Sequence, residues 1–209
     1  MGNMTLEQVN DMYLDVLREI GNIGAGNATS AIANMLGMKI DMNVPSIRLM
    51  EVSQLGMAVG AEDETIVGIF LEVETDIEGS MMFLLDIPSA RYLVNKLMMT
   101  NEPDDQPFGE MELSALKEIG NIIAGSYLSA LSSLTNLVIT PSVPYIAVDM
   151  AASILSVPAI EFGQYGDNAL LIQTEICADQ RIFYLDAGAG FLRKNINVTW
   201  YLNIRRMRI

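Results

Sequence analysis

Asp15, Glu19 and Asn22 stand at positions i, i+4 and i+7, and Ser114, Glu118 and Asn121 repeat that spacing. On an α-helix these positions share one face. Each trio therefore presents a carboxylate or hydroxyl, a carboxylate and a carboxamide to the same side. A carboxamide takes no proton at neutral pH, so it is not a general base. It can hold a water molecule through its carbonyl oxygen and its NH2 group, and a water held in place is a nucleophile with its orientation already fixed. Pro45 and Pro144 each follow the asparagine by 23 residues, so the pattern Asp/Ser-x3-Glu-x2-Asn-x22-Pro occurs twice. A single Glu–Asn pair on a helix is commonly no more than a solvated face. Two copies weaken that reading, because neighbouring positions have diverged, Gly24 against Ile123 and Asn27 against Ser126. Shared ancestry alone would also keep such a pair, so repetition does not by itself establish activity.

The elements that must carry these residues are duplicated too. Leu17 to Ala31 reads LREIGNIGAGNATSA and Leu116 to Ala130 reads LKEIGNIIAGSYLSA, identical at ten of fifteen positions at an offset of 99. A period of that length marks a duplicated half-domain rather than a solenoid. Helical spacing of Met12, Leu17, Ile20 and Ile23, with a capping box at Thr5 and Gln8, predicts one long helix over 5–36. Its counterpart runs over 109–134. Gly21, Gly24 and Gly26 each weaken a helix by about 1 kcal/mol against alanine, and close approach of another element is the ordinary reason for such glycines. Each long helix is followed by a short strand, 39–44 and 136–140, and by a short helix, 52–59 and 148–160. Hairpins are expected over 65–75 with 79–86, and over 169–177 with 181–186. A further helix opens at Pro88 and runs to Met99. The order predicts an α+β fold, internally duplicated, with two pseudo-symmetric halves that each bring a long helix and antiparallel strands to a shared sheet. We expect a single domain over 1–209, with repeat 1 at 5–100, repeat 2 at 109–186, and a polar, acidic, proline-bearing linker at 101–110. Neither half should stand alone, since a sheet of two or three strands is marginal in water. Residues 187–209 form a divergent basic tail, rich in asparagine and weakly periodic, which predicts loose order.

These residues resemble the CheC/CheX/FliY family, which is marked by the same acid-or-hydroxyl, Glu, Asn and distal Pro pattern within EIGNI-x-AG. The resemblance covers about residues 5 to 186 and includes both copies in one chain. It implies a CheC-like fold and a phosphatase that hydrolyses the aspartyl phosphate of phosphorylated CheY-like response regulators in chemotaxis. It also implies roles: Glu19, Asn22, Glu118 and Asn121 are the catalytic residues, and Asp15 and Ser114 make partner contacts a turn earlier. The asparagine would hold the attacking water in line with phosphorus, and the glutamate would meet the regulator's active-site lysine. The chain would need no cofactor of its own, the Mg2+ ion being supplied by the regulator. Some members of the family bind the receptor deamidase CheD; 149–163 offers an apolar helix for that, although simple packing on the sheet is the more ordinary reading of it. The alternative is an adaptor that docks CheY or CheD without catalysis.

Composition excludes other chemistry. There is no histidine and one cysteine, Cys177. That removes an internal disulfide, a His/Cys zinc site, and Ser-His or Cys-His nucleophilic catalysis. Cys177 lies in an apolar run and reads as strand packing. The net charge is −14, and every acidic residue lies at or before Asp186. Such a body does not favour nonspecific nucleic-acid binding. No apolar run is long enough to span a membrane, and the N-terminus lacks a secretory pattern, so a cytoplasmic location without membrane insertion is expected. GNIGAGN at 21–27 looks like a phosphate-binding loop, but it lacks the Lys-Ser/Thr of a P-loop and lies within a helical pattern.

Overall fold

A computed structural model describes residues 11–43, 45–51, 54, 63–76, 79–162, 168–178 and 181–190. The first long helix is α1, Asp11–Leu36. The proposed cap at Thr5 lies outside the described residues. Two short strands follow, β1 at Asp41–Met42 and β2 at Ser46–Glu51. Then come the hairpin strands β3, Thr65–Thr75, and β4, Gly79–Asp86. Helix α2, Ile87–Met98, is capped by Asp86, whose carboxylate accepts from the Ser89 N–H at 2.7 Å. Repeat 2 restates this order: α3, Glu110–Thr135; β5, Ile139–Pro141; β6, Tyr145–Met150; α4, Ala151–Phe162; β7, Asn168–Ala178; and β8, Arg181–Gly190.

The strands form one antiparallel sheet in the order β1-β7-β8-β4-β3-β5, with β2 also on β7 and β6 also on β3. The two hairpins meet at β4 and β8, for instance Phe83 opposite Ala187. The short strands cross over. β5 and β6 of repeat 2 extend the repeat 1 hairpin at β3, and β1 and β2 of repeat 1 extend the repeat 2 hairpin at β7. Each half thus completes the other's sheet, which gives a physical reason for the two to fold together.

Several boundaries differ from expectation. The tail was expected to begin at 187, yet β8 continues to Gly190, where Ser80 and Ala169 flank it. Residues 187–190 are alanine and glycine, weak strand formers, and they are held because β4 and β7 pair with both edges. Residues 191–209 lie outside the described set. The helix expected at 148–160 begins at Ala151, because Tyr145 to Met150 pairs with β3 first. Beta-branched and aromatic residues after Pro144 favour that strand. Strand β2 after Pro45 was likewise not foreseen. The expected helix at 52–59 falls almost wholly on residues outside the described set.

One face of the sheet packs under the two long helices. Val67, Ile69 and Leu71 of β3 and Phe83 and Leu85 of β4 meet Ile119, Ile123 and Tyr127 of α3 and Ala25, Ala28 and Ile32 of α1. On the other face Ile154 and Leu155 of α4 join Ile66, Met82, Leu84 and Leu171. Where α1 meets α3, a side chain at Gly24 would run into the Tyr127 ring, with Cε1 at 2.6 Å. The glycine of one repeat therefore receives the large residue of the other. Gly26 has no such neighbour, its nearest being Met42 Cε at 3.8 Å, so close approach does not account for it.

Candidate functional site on the two long helices

The second trio lies along the outer side of α3. Ser114, Glu118 and Asn121 are exposed, while Leu116, Ile119, Gly120, Ile123 and Ala124 are buried beneath them. The seat of the helix is set one residue before the carboxamide. A Cβ at Gly120 would come within 2.6 Å of Ile69 Cγ2 on β3. Turning about 100° per residue from that contact carries Asn121 outward. The glycine of the EIGN sequence thus fixes how close the helix lies, and the asparagine is displayed as a consequence.

In the first copy Gly21 plays the same part. A Cβ there would run into Ile47 of β2 and lie 3.6 Å from Ile172 of β7. Glu19 is exposed. Asn22 is half-buried, and among the described residues its buried Oδ1 has no hydrogen-bond partner. An unmet buried acceptor costs about 1–3 kcal/mol, so this side chain is held in an unfavourable state that Asn121 avoids. Asp15 lies on α1, but its side chain is outside the described set. The two copies share spacing and differ in presentation.

Pro45 and Pro144 are both buried and stand immediately before β2 and β6. Each stands between the two short strands of its repeat that pair with the other repeat's hairpin. Cys177 lies in β7, opposite Asp41 of β1. GNIGAGN is helical throughout.

Two surface clefts lie elsewhere. One, of about 580 Å³, is lined by Asp104, Asp105, Phe108 and Val148 among others, and one of about 370 Å³ by Phe70, Tyr145 and Ile154 among others. Neither contains a residue of the two trios; the second trio stands on an exposed helix face. Among the described residues no group of three His, Cys, Asp or Glu is placed to hold a metal ion. Among them, too, no helix is long and apolar enough to cross a membrane. The exposed side of α3 also includes Met111, one turn before Ser114, which reading for polar chemistry passes over. The signal that finds it is Met12 at the same offset of 99.

Comparison with known proteins identifies the family and the fold. The CheC-like family profile matches residues 12–48 and 111–147, the two stretches that run from each trio to its proline. The CheY-P phosphatase CheC of Bacillus subtilis (strain 168) is 41% identical over 170 residues, which is 80% of this chain and 81% of that protein. The FliY structure from Thermotoga maritima superposes with a TM-score of 0.73 at 20% identity, covering 98% of this chain and 99% of that one. A chain from the CheX-CheY-BeF3-Mg complex of Borrelia burgdorferi superposes with a TM-score of 0.54 at 20% identity, covering 82% and 96%. A relative this similar over four-fifths of both lengths, together with a profile match on both site-bearing segments, places the chain in the CheC-like family.

Proposed function

We propose that this chain is a hydrolase that removes the phosphoryl group from the phosphorylated aspartate of a CheY-like response regulator. The observation that carries the proposal is the exposed pair Glu118 and Asn121 on one face of α3, repeated in type and spacing by Glu19 and Asn22. It occurs in a chain 41% identical to a protein named CheY-P phosphatase.

An aspartyl phosphate is an acyl phosphate and is already activated toward loss of its phosphoryl group. What remains for a catalyst is positioning and charge stabilisation. Asn121 fixes a water in line with phosphorus through its amide. Glu118 would be repelled by the phosphoryl oxygens, so it pairs with the regulator's active-site lysine and so orients the asparagine. Ser114, and Asp15 in the other copy, contact the rim of the same surface. The Mg2+ ion belongs to the regulator. An exposed helix face suits this task, because the cavity that receives it is the regulator's own active site.

Exposure makes the two copies unequal. Asn22 must turn out of its half-buried position before it can act, and about 1 kcal/mol of such cost is about fivefold in rate. Asn121→Ala in the intact chain is expected to lower phosphate release by about fivefold or more, and Asn22→Ala by less than about twofold. Phosphate release from a phosphorylated CheY-like protein measures both. The opposite order would overturn the ranking, and no release by the wild type would remove the function.

The same reading gives CheD as a second partner, on α4. Ala151, Ile154 and Leu155 pack inward, whereas Ala152, Ser156 and Val157 face outward. Val157→Glu should weaken CheD binding by about tenfold without changing phosphate release. Calorimetric titration that finds equal affinity would withdraw this surface.

A further inference from the structure

Resting on the phosphatase reading above, we propose that Met111 is an apolar contact and affinity determinant for the regulator.

The internal comparison singles this residue out. Between 11–22 and 110–121, seven positions are identical: Met111, Leu113, Leu116, Glu118, Ile119, Gly120 and Asn121 with their partners 99 residues earlier. Packing accounts for four, since Leu116, Ile119 and Gly120 are buried and Leu113 is half-buried. Glu118 and Asn121 carry the site. Met111 is left, identical in both repeats and 75% exposed. Its next neighbour did not stay the same, Tyr13 standing against Glu112. A lone exposed apolar residue is ordinary on any surface. One that recurs at the same offset, in line with two site residues, calls for a partner.

The geometry fits such a contact. Met111, Ser114, Glu118 and Asn121 fall within about 80° of helix circumference, and Met111 lies about 15 Å along the axis from Asn121. A standard interface covers about 800 Å² on each partner, a disc of about 16 Å radius. With the phosphoryl centre at Asn121, Met111 therefore sits inside the rim of the contact. The occupant is the phosphorylated receiver itself, met through aliphatic or aromatic side chains flanking its active site. A flexible thioether tolerates variation in those side chains. The methionine touches neither water nor phosphorus, so it contributes equally before and during reaction and acts on affinity.

The test isolates the second copy in an Asn22→Ala background. Met111→Gln keeps the length and removes the apolar end. It is expected to raise KM for the phosphorylated regulator about fivefold with kcat unchanged, as loss of uniform binding does. Met111→Leu should restore KM to within about twofold. An unchanged KM, or a fall in kcat alone, would overturn the proposal. Should the wild type release no phosphate, the phosphatase reading fails separately. Binding of a beryllofluoride-loaded receiver then decides for the methionine: a Kd about fivefold weaker in Met111→Gln upholds the contact, and an equal Kd removes it.

Discussion

The Asn22→Ala/Asn121→Ala double variant is expected to dephosphorylate its regulator no faster than the regulator does alone, while binding it undiminished. One oriented donor or acceptor at a reacting centre is worth about 10²–10³ in rate, and here no second group can replace it. The chain has no histidine, and the nearest carboxylates, Glu19 and Glu118, are assigned to the partner's lysine. Each alanine removes the amide proposed to hold the water and leaves the helix surface otherwise intact. Alanine also favours the helix over asparagine, so folding is not put at risk. Two measurements are required, phosphate release and affinity for a beryllofluoride-loaded receiver. Lost hydrolysis with kept affinity supports the mechanism. Kept hydrolysis removes it. A wild type that binds yet never hydrolyses leaves the adaptor alternative in its place.

Local signals in the sequence carry the fold a long way. Periodicity finds the two long helices because their buried residues, such as Leu116, Ile119 and Ile123, recur at helical spacing. Hairpins β3–β4 and β7–β8 are visible because apolar strand-forming runs are joined by short polar turns. What local signals do not carry is exchange between the repeats. Strands β2 and β6 exist because each has the other repeat's hairpin edge to pair with, and that edge is more than a hundred residues away for β2 and about eighty for β6. The same holds for the end of β8, where alanine and glycine are held by neighbours on both sides. In the candidate site, the identity and spacing of Glu118 and Asn121 are legible, as are those of Glu19 and Asn22. Their unequal exposure is not, because it depends on how β2 and β7 sit beneath α1. Met111 was legible in the repeat but does not announce itself as chemistry.

Arg91 is a buried cation. It is 1% exposed at the centre of α2. Its guanidinium pairs with Glu112 of α3, donates to the Gln106 carbonyl, and stacks 4.0 Å over the Phe108 ring. The other oxygen of Glu112 accepts the Gly109 N–H at 2.7 Å and so closes the first turn of α3. One side chain therefore ties the last helix of repeat 1, the linker between repeats, and the start of the helix that carries Ser114, Glu118 and Asn121. Breaking a buried pair by removing one partner costs about 3–5 kcal/mol. Glu112 keeps 15% of its side-chain surface in solvent, which lowers the expected cost of Arg91→Met to about 2–4 kcal/mol. Urea unfolding should show this as a lower midpoint with an unchanged slope. Adding Glu112→Leu should recover more than half of the loss, because the stranded carboxylate is gone and two apolar side chains can pack beside Phe108. The remainder is the cap at Gly109, worth about 1 kcal/mol. If Arg91→Met unfolds within about 0.5 kcal/mol of the wild type, as surface substitutions do, the clamp contributes nothing and the linker is held by Asn95 instead. That side chain already donates to the Glu102 carbonyl at 2.8 Å and accepts its N–H at 2.9 Å.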